Sequence, residues 1–518
     1  MRSLMKKHEI HYLDTTRLAF IGKGILVGAF VGIVVSLFRL AIEWIGEKVA
    51  AVYRHLADHP DQIILWVILS IITAIIVILL VKSEPQIKGS GIPQVEGKLS
   101  GEIDYNWFSV LWKKFIGGIL SVGSGLFLGR EGPSIQLGAA VGQGLSQFFE
   151  APKSEEKILI SSGASAGLSA AFNAPIAGLL FILEEIHHSF SPLVWLTSFA
   201  SVITANFVSL NFFGLKPVLY QGKINDLPLK YYGALVILGI LLGILGRFYQ
   251  WTLLSLPKWY GKLPISSDWY GLIPFVLIIP IGLFLPDYLG GGNQIILTLG
   301  ETGAPLLFLV MLLILRYCFS MISYGAGLPG GIFLPILTLG ALIGAIFGTF
   351  LAQSIGLDPI YIKNFVIVAM AGYFTAIGKA PLTAIILVTE MVGSINHLMP
   401  LGLVSLVAYI VVDGLGGHPI YESLLEKMHK EPAVNIRGTK TVIEYPVTAE
   451  SSFDGMAVRD FPWPENMLLI SIRRGENEIL TRGDTIMKVG DALLILTDSN
   501  SVSEVKKKIS YLADGPLT

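Results

Sequence analysis

Three segments of the chain repeat one construction, a glycine, a few residues and then a proline that opens an apolar run: Gly89-Ser90-Gly91-Ile92-Pro93, Gly129-Arg130-Glu131-Gly132-Pro133 and Gly331-Ile332-Phe333-Leu334-Pro335. Proline is favoured at the first helical position, and the glycines before it let the backbone turn sharply and approach a ligand closely. Each segment therefore predicts a helix N-terminus, which carries about +0.5 of an elementary charge and unpaired N–H donors. Several such ends converging inside a membrane would hold an anion without any buried lysine. The middle segment adds a carboxylate. Glu131, beside a helix N-terminus, can occupy an anion site itself, and protonation removes its claim on that site. It would then compete with the anion and carry a proton. The plainer alternatives are a glutamate that only caps its helix and Gly/Pro pairs that serve close packing. The threefold recurrence favours binding.

A second acidic position lies at Glu184-Glu185, where the apolar run Leu179 to Leu183 ends. A charge at mid-membrane depth costs on the order of 2.5 to 3.5 kcal/mol, so a carboxylate retained there suggests a proton relay, with an ordinary interfacial residue as the alternative. His187 and His188 have no neighbouring ligands at metal spacing and read as interfacial, so no metal and no cofactor are expected. The chain has no HExxH constellation, and it is not expected to be an enzyme.

The elements that must position these residues are membrane helices. Of 518 residues 53% are hydrophobic and only 14% charged, with a mean hydropathy of +0.66, which excludes an ordinary soluble mixture. Apolar stretches such as Leu18 to Phe38, Ile63 to Val81, Pro305 to Leu315 and Phe365 to Tyr373 recur, but few reach the ~20 residues of a simple span. Short, tilted or re-entrant helices are expected, as in transporters and channels. The net charge of −1 gives no reason for a nucleic-acid partner, and Lys506-Lys507-Lys508 reads as a solvated helix face. Cys318, the single cysteine, reads as a buried inert thiol. Arg2, Lys6, Lys7 and Arg17 before the first apolar run predict a cytoplasmic N-terminus, and no removable signal peptide is expected.

The membrane-like part holds an internal repeat. Asn173-Ala174-Pro175-Ile176, Leu179-Leu180 and Glu184 reappear as Lys379-Ala380-Pro381-Leu382, Ile385-Ile386 and Glu390, with the same spacing from proline to glutamate. The segment from Gly129 to Pro133, leading to Leu137-Gly138-Ala139, aligns with Gly331 to Pro335, leading to Leu339-Gly340-Ala341. Duplicated halves place equivalent helix starts around one centre, where inverted-repeat transporters keep their substrate. Glu184 and Glu390 are expected to have structural partners.

In this order, G-S-G-I-P, G-R-E-G-P and G-x-F-x-P resemble the three signatures of the CLC chloride-transport family. The resemblance runs from about Thr16 to Lys427. It implies an all-α polytopic fold of two inverted-topology repeats with tilted, re-entrant helices, assembled in the cell membrane as a homodimer with one pore per subunit. It implies chloride and protons as the transported species and surrounding lipid as the remaining partner. By motif, Ser90 resembles the serine whose hydroxyl donates to the central chloride, and Tyr421, in His418-Pro419-Ile420-Tyr421, the tyrosine that donates from the other side. The amides of Ile332 and Phe333 would complete the site. Glu131 matches the external gating glutamate and Glu185 the internal proton-transfer glutamate of the family's exchangers. Lys114 resembles a lysine that adds positive potential, with snorkelling to the interface as the alternative. Arg130 reads as a structural or field-setting residue rather than a chloride ligand. A passive chloride channel on the same fold is the nearest alternative. A fluoride exchanger would depart from the serine and tyrosine pattern, and a cation transporter would want acidic rings or carbonyl filters instead of amide and hydroxyl donors.

Past Pro432 the composition changes to short β-type runs, Thr441 to Tyr445, Met467 to Arg473 and Ala492 to Thr497, with turns at Arg474-Gly475 and Val489-Gly490-Asp491 and a helical pattern over Ser501 to Leu512. The expected organisation is a lead-in over 1–16, a transport domain over 17–431 and a small α+β cytosolic domain over 432–518, with both termini cytoplasmic. The tail resembles a TrkA-C module, the C-terminal half of regulators of potassium conductance. That resemblance implies either dimer stabilisation or a small regulatory ligand such as a cyclic dinucleotide or nucleotide.

Overall fold

In the membrane part, helices are packed closely where their contact faces carry small residues. The computed structural model describes residues 15–187, 191–220, 222, 224–299, 304–428, 440–448, 451–464, 467–475, 477–498 and 502–513. The first half runs through α1 (Thr15–Asp58), α2 (Ile63–Ser83), α3 (Ile92–Ser100), α4 (Trp107–Gly123), α5 (Glu131–Phe148), α6 (Lys153–Phe172), α7 (Pro175–Phe181) and α8 (Pro192–Phe213). The second runs through α9 (Tyr232–Tyr260), α10 (Leu272–Phe284), α11 (Asn293–Thr298), α12 (Leu306–Gly325), α13 (Phe333–Ile355), α14 (Ile362–Gly378), α15 (Pro381–Val392) and α16 (Leu398–Gly414), followed by α17 (Ile420–Met428).

Gly24 and Gly28, one turn apart on α1, face the carbonyls of Thr197 and Ser201 on α8 so closely that a Cβ would stand 2.5 and 2.3 Å from them. Gly138 of α5 and Gly163 of α6 do the same to each other at 2.1 Å. Without a hydrophobic drive between helices in lipid, such close approach supplies the association.

Among the described residues eight helices are long and apolar enough to cross a membrane. The expectation that few spans reach full length is corrected here. Glycine and serine interrupt the apolar runs without interrupting the helices, so α1 continues for 44 residues, about 66 Å at ~1.5 Å per residue. Cys318 is also corrected, because it is exposed on the outside of α12.

The repeat is visible in the backbone. Asn173 and Lys379 both adopt left-handed conformations, at φ 53° and 59°, where they end α6 and α14. Each is followed by an alanine and then by the proline that opens α7 or α15. Gly129 and Gly331 form an antiparallel bridge through two hydrogen bonds of 2.7 Å. An antiparallel pairing of equivalent residues means that the two halves meet in opposite directions, as an inverted-topology pair does.

The described chain divides into two compact units. The second begins at Leu425 and also takes in Glu96–Tyr105. Its antiparallel sheet has the order β1-β4-β2-β3, formed by β1 (Lys440–Pro446), β2 (Met467–Arg474), β3 (Asn477–Leu480) and β4 (Asp491–Asp498). Strand β3, which has too few apolar residues to announce itself, completes a hairpin with β2 across Gly475 at φ 60°. On α18 (Val502–Ala513), Val502, Val505 and Ile509 lie on one face and pack with Ile443, Ile472, Leu493 and Ile495 of the sheet. Lys507 and Lys508 are on the solvent side of that helix. The expected boundaries at 16 and 431 fall at or beside undescribed residues, as do Arg2, Lys6, Lys7 and His188.

Candidate anion and proton site

All three glycine-proline segments do open helices, but α3, α5 and α13 begin at Ile92, Glu131 and Phe333, one or two residues before the proline. Proline is tolerated throughout this first turn because its missing N–H would have no intrahelical acceptor there. The helix therefore presents the amides nearest the motif's centre.

The three starts are tied together. Besides the bridge between Gly129 and Gly331, the Gly330 amide donates to the Gly89 carbonyl at 3.0 Å. Gly132 presses against Ser90, with room for no side chain: a Cβ there would meet the Ser90 carbonyl at 2.8 Å. Gly89 and Gly91 have φ of 61° and 91°, and a Cβ on Gly91 would strike the Gln136 side chain. Only glycine allows this turn at both positions.

Lys114 is wholly buried and donates from Nζ to the carbonyls of Ile87 at 2.9 Å and Gly89 at 2.8 Å. It holds the Ser90 turn in place and does not snorkel. The Ser90 hydroxyl accepts from the Ile92 amide at 3.3 Å. Tyr324 of α12 places its hydroxyl against Gly89 and within reach of Ser90.

Glu131 is fully buried at the first position of α5. Its carboxylate lies over Gly129, where a Cβ would stand 2.3 Å from Oε2, and beside the Leu334 amide at the start of α13. Neither carboxylate oxygen has a hydrogen-bond partner of good geometry. A carboxylate from one half thus occupies the N-terminal end of a helix from the other half, in the place an anion would take. Ile332 and Phe333 stand at that same helix start.

Tyr421, the second residue of α17, is buried and its hydroxyl is unpartnered. Its ring contacts Phe181 at 6.5 Å between centroids, and Phe181 contacts Phe333 at 6.3 Å. Tyr421 lies within electrostatic reach of both Glu131 and Glu185.

Glu185 is buried in a single π-helical turn, Ile182–Ile186, that follows α7, and its Oε2 faces Gly378. Such turns recur at functional sites. Glu184, its neighbour, points elsewhere: it accepts from the Leu382 and Thr383 amides at 3.0 and 2.7 Å and from the Thr383 hydroxyl at 2.7 Å. Glu390 returns the contact, accepting from the Ile176 and Ala177 amides at 3.1 and 2.8 Å. Each repeat caps the proline-opened helix of the other. His187 meets the Ser161 hydroxyl at 2.8 Å, and no group of metal-ligating side chains occurs among the described residues.

Sequence reading passes over Tyr324 and Arg316. Arg316 is fully buried in α12, donates to the carbonyls of Tyr288, Gly290 and Gly291 at 3.1, 2.8 and 2.6 Å, and stacks on Phe127. It supports the loop behind the start of α13. An arginine inside an apolar helix is the signal that could have revealed it.

The sequence pattern of the family described as voltage gated chloride channel matches residues 72–413, and that of the TrkA-C domain matches residues 442–510. H(+)/Cl(−) exchange transporters named ClcA from Salmonella schwarzengrund and Salmonella newport are each 33% identical to this chain over 426 residues, covering 80% of it and 89% of those proteins. The structure of a slow cyanobacterial Cl−/H+ antiporter matches with a TM-score of 0.75 at 30% identity, covering 80% of this chain and 98% of that one. The structure of a CLC-type fluoride/proton antiporter shares the fold, with a TM-score of 0.65 at 22% identity, over 80% of this chain and 99% of that one.

Proposed function

From its membership of the voltage-gated chloride channel (CLC) family, we propose that this chain is a secondary active transporter that exchanges chloride for protons. The observation that carries the reading is Glu131, a buried carboxylate from one half resting at the helix start of the other. In this reading the Ser90 and Tyr421 hydroxyls and the amides of Ile332 and Phe333 hold chloride. Ionised Glu131 occupies the outer end of that site; protonated, it gives up its claim and chloride can pass. Alternating occupation by carboxylate and chloride couples the two flows, because one site cannot take both anions.

Glu185 exchanges the proton with the inner side. Its burial beside Gly378, with Tyr421 within electrostatic reach of both Glu185 and Glu131, supports a relay over an interfacial role. A passive chloride channel on this fold would have no use for a second buried carboxylate. The working form is a homodimer with one pore per subunit in the plasma membrane, both termini cytoplasmic. The domain over 432–518 biases the transport states by stabilising the dimer or by binding a small ligand such as a cyclic dinucleotide or nucleotide.

Purified protein in liposomes carrying a chloride gradient tests the proposal. Uphill proton movement driven by chloride is expected. Chloride flux with no accompanying proton movement would leave a channel instead.

A further inference from the structure

Directly beside Glu131 lies a charged cluster that the transport reading does not use. Arg39 and Glu43 stand one turn apart on α1, and Arg130 is the residue before Glu131. Arg39 Nε donates to Glu43 Oε1 at 3.1 Å and Arg130 Nη1 donates to the same oxygen at 2.6 Å. The two guanidinium groups are therefore held within two hydrogen-bond lengths of each other, where like charges repel unless something keeps them. Both arginines are more than nine-tenths buried, at 7% and 5% exposure, while the Glu43 side chain is 39% exposed. Arg39 is fixed further by stacking on Phe213, 3.7 Å from guanidinium carbon to ring centroid. Arg130 Nε lies 4.0 Å from Glu131 Oε1. Arg39 Nη1, Arg130 Nε and Arg130 Nη2 are buried nitrogens without a hydrogen-bond partner.

We propose that Arg39, Arg130 and Glu43 form an outer anion-capture site that receives a chloride-sized monovalent anion and passes it to the place vacated by Glu131. This deepens the exchange reading and rests on it. Buried guanidinium N–H groups left unpaired are costly, and a small anion is the partner that would satisfy several at once. The charge balance gives the site its timing. With Glu131 ionised, the carboxylates of Glu43 and Glu131 match the two guanidiniums. When Glu131 takes a proton, one positive charge is left over in the state that must admit chloride. The charged and titratable groups that act on Glu131 are Arg130, just before its helix, Arg39 on α1 and the Tyr421 hydroxyl on α17, while Glu43 is tied to both arginines and α13 offers the Leu334 amide. Glu43 tunes the site: it fixes both arginines and offsets one of their charges, so that the anion is drawn in but not retained.

In this scheme Arg39 offers an N–H to the anion and Glu43 is a positioning residue, and neutralising the two separately tests it. The probe is chloride itself, with ionic strength held constant by an impermeant anion, and the readout is the initial rate of coupled flux in liposomes against chloride concentration. Arg39→Gln should raise the half-saturating chloride concentration roughly three- to tenfold, with the change falling there rather than on the maximal rate. Arg39→Lys should restore most of the affinity. Glu43→Gln removes the offsetting charge and should lower the half-saturating concentration. Opposite shifts support capture. Shifts in the same direction, or none, mean that the cluster is only a structural clamp and overturn the proposal. If Arg39→Gln does not fold, the direction of the Glu43→Gln shift decides alone. Wild-type protein that moves chloride without protons would defeat the exchange reading, and the chloride dependence of its flux would still decide for or against capture.

Discussion

Replacing Glu184 by glutamine tests whether two adjacent carboxylates, Glu184 and Glu185, have separate roles. The Glu184 carboxylate accepts hydrogen bonds from the Leu382 and Thr383 amides and from the Thr383 hydroxyl, all between 2.7 and 3.0 Å. Glutamine keeps one acceptor oxygen and turns the other into a donor that faces a donor. The Thr383 hydroxyl can rotate and accept, so the unavoidable loss is one amide bond to a charged acceptor, about 1.5–3 kcal/mol. Losing the negative charge at the start of α15 adds about 0.3–1 kcal/mol. The substitution should therefore cost about 2–4 kcal/mol of stability and leave the proton path alone. Glu390→Gln, with two amide bonds and no hydroxyl, should cost a similar amount at the start of α7. Thermal unfolding in detergent reads the stability, and chloride-driven proton movement in liposomes, well below the unfolding temperature, reads the coupling. A lower unfolding temperature with the proton-to-chloride ratio intact is expected. Normal stability with protons uncoupled would show that Glu184, not Glu185, is the relay.

Ser90→Ala removes one hydroxyl donor and should weaken chloride binding by roughly five- to tenfold, equivalent to about 1 kcal/mol or slightly more; unchanged affinity by calorimetry would remove Ser90 from the site. Gly129→Ala would put a Cβ 2.3 Å from Glu131 Oε2, so coupled exchange should fall by an order of magnitude or more, and a wild-type rate would mean that Glu131 does not rest there during turnover. Removing Ala433–Thr518 should leave coupled exchange intact, because the helix starts, Ser90, Tyr421 and both glutamates precede the cut. A folded, dimeric truncation that transports nothing would make the tail part of the transport machinery.

What is legible in the chain is what depends on local rules. Three helix starts follow from glycine and proline placement to within one or two residues, falling at Ile92, Glu131 and Phe333, and the repeat of Asn173 to Glu184 in Lys379 to Glu390 reaches the backbone conformation of its first residue. Strands β1, β2 and β4 follow from short apolar runs bounded by turn residues, whereas β3, with Asn477 and Glu478 exposed, has no such run. What escapes is long-range pairing. Nothing near Arg316 in sequence foretells the carbonyls of Tyr288, Gly290 and Gly291, and nothing near Arg130 foretells Glu43, 87 positions earlier. Lys114 shows the same limit, since its choice between snorkelling and burial is made by two carbonyls from another segment. Helix length is misread for a local reason: glycine and serine lower the apparent apolar run while serving the contacts between helices.

The central claim is that the Glu131 carboxylate and chloride take turns in one site. The most direct measurement compares wild type with Glu131→Gln, which mimics the protonated side chain, in liposomes that report chloride efflux and proton uptake together. Sustained chloride efflux with proton uptake abolished is the predicted result. Proton uptake that persists in proportion to chloride efflux would contradict it.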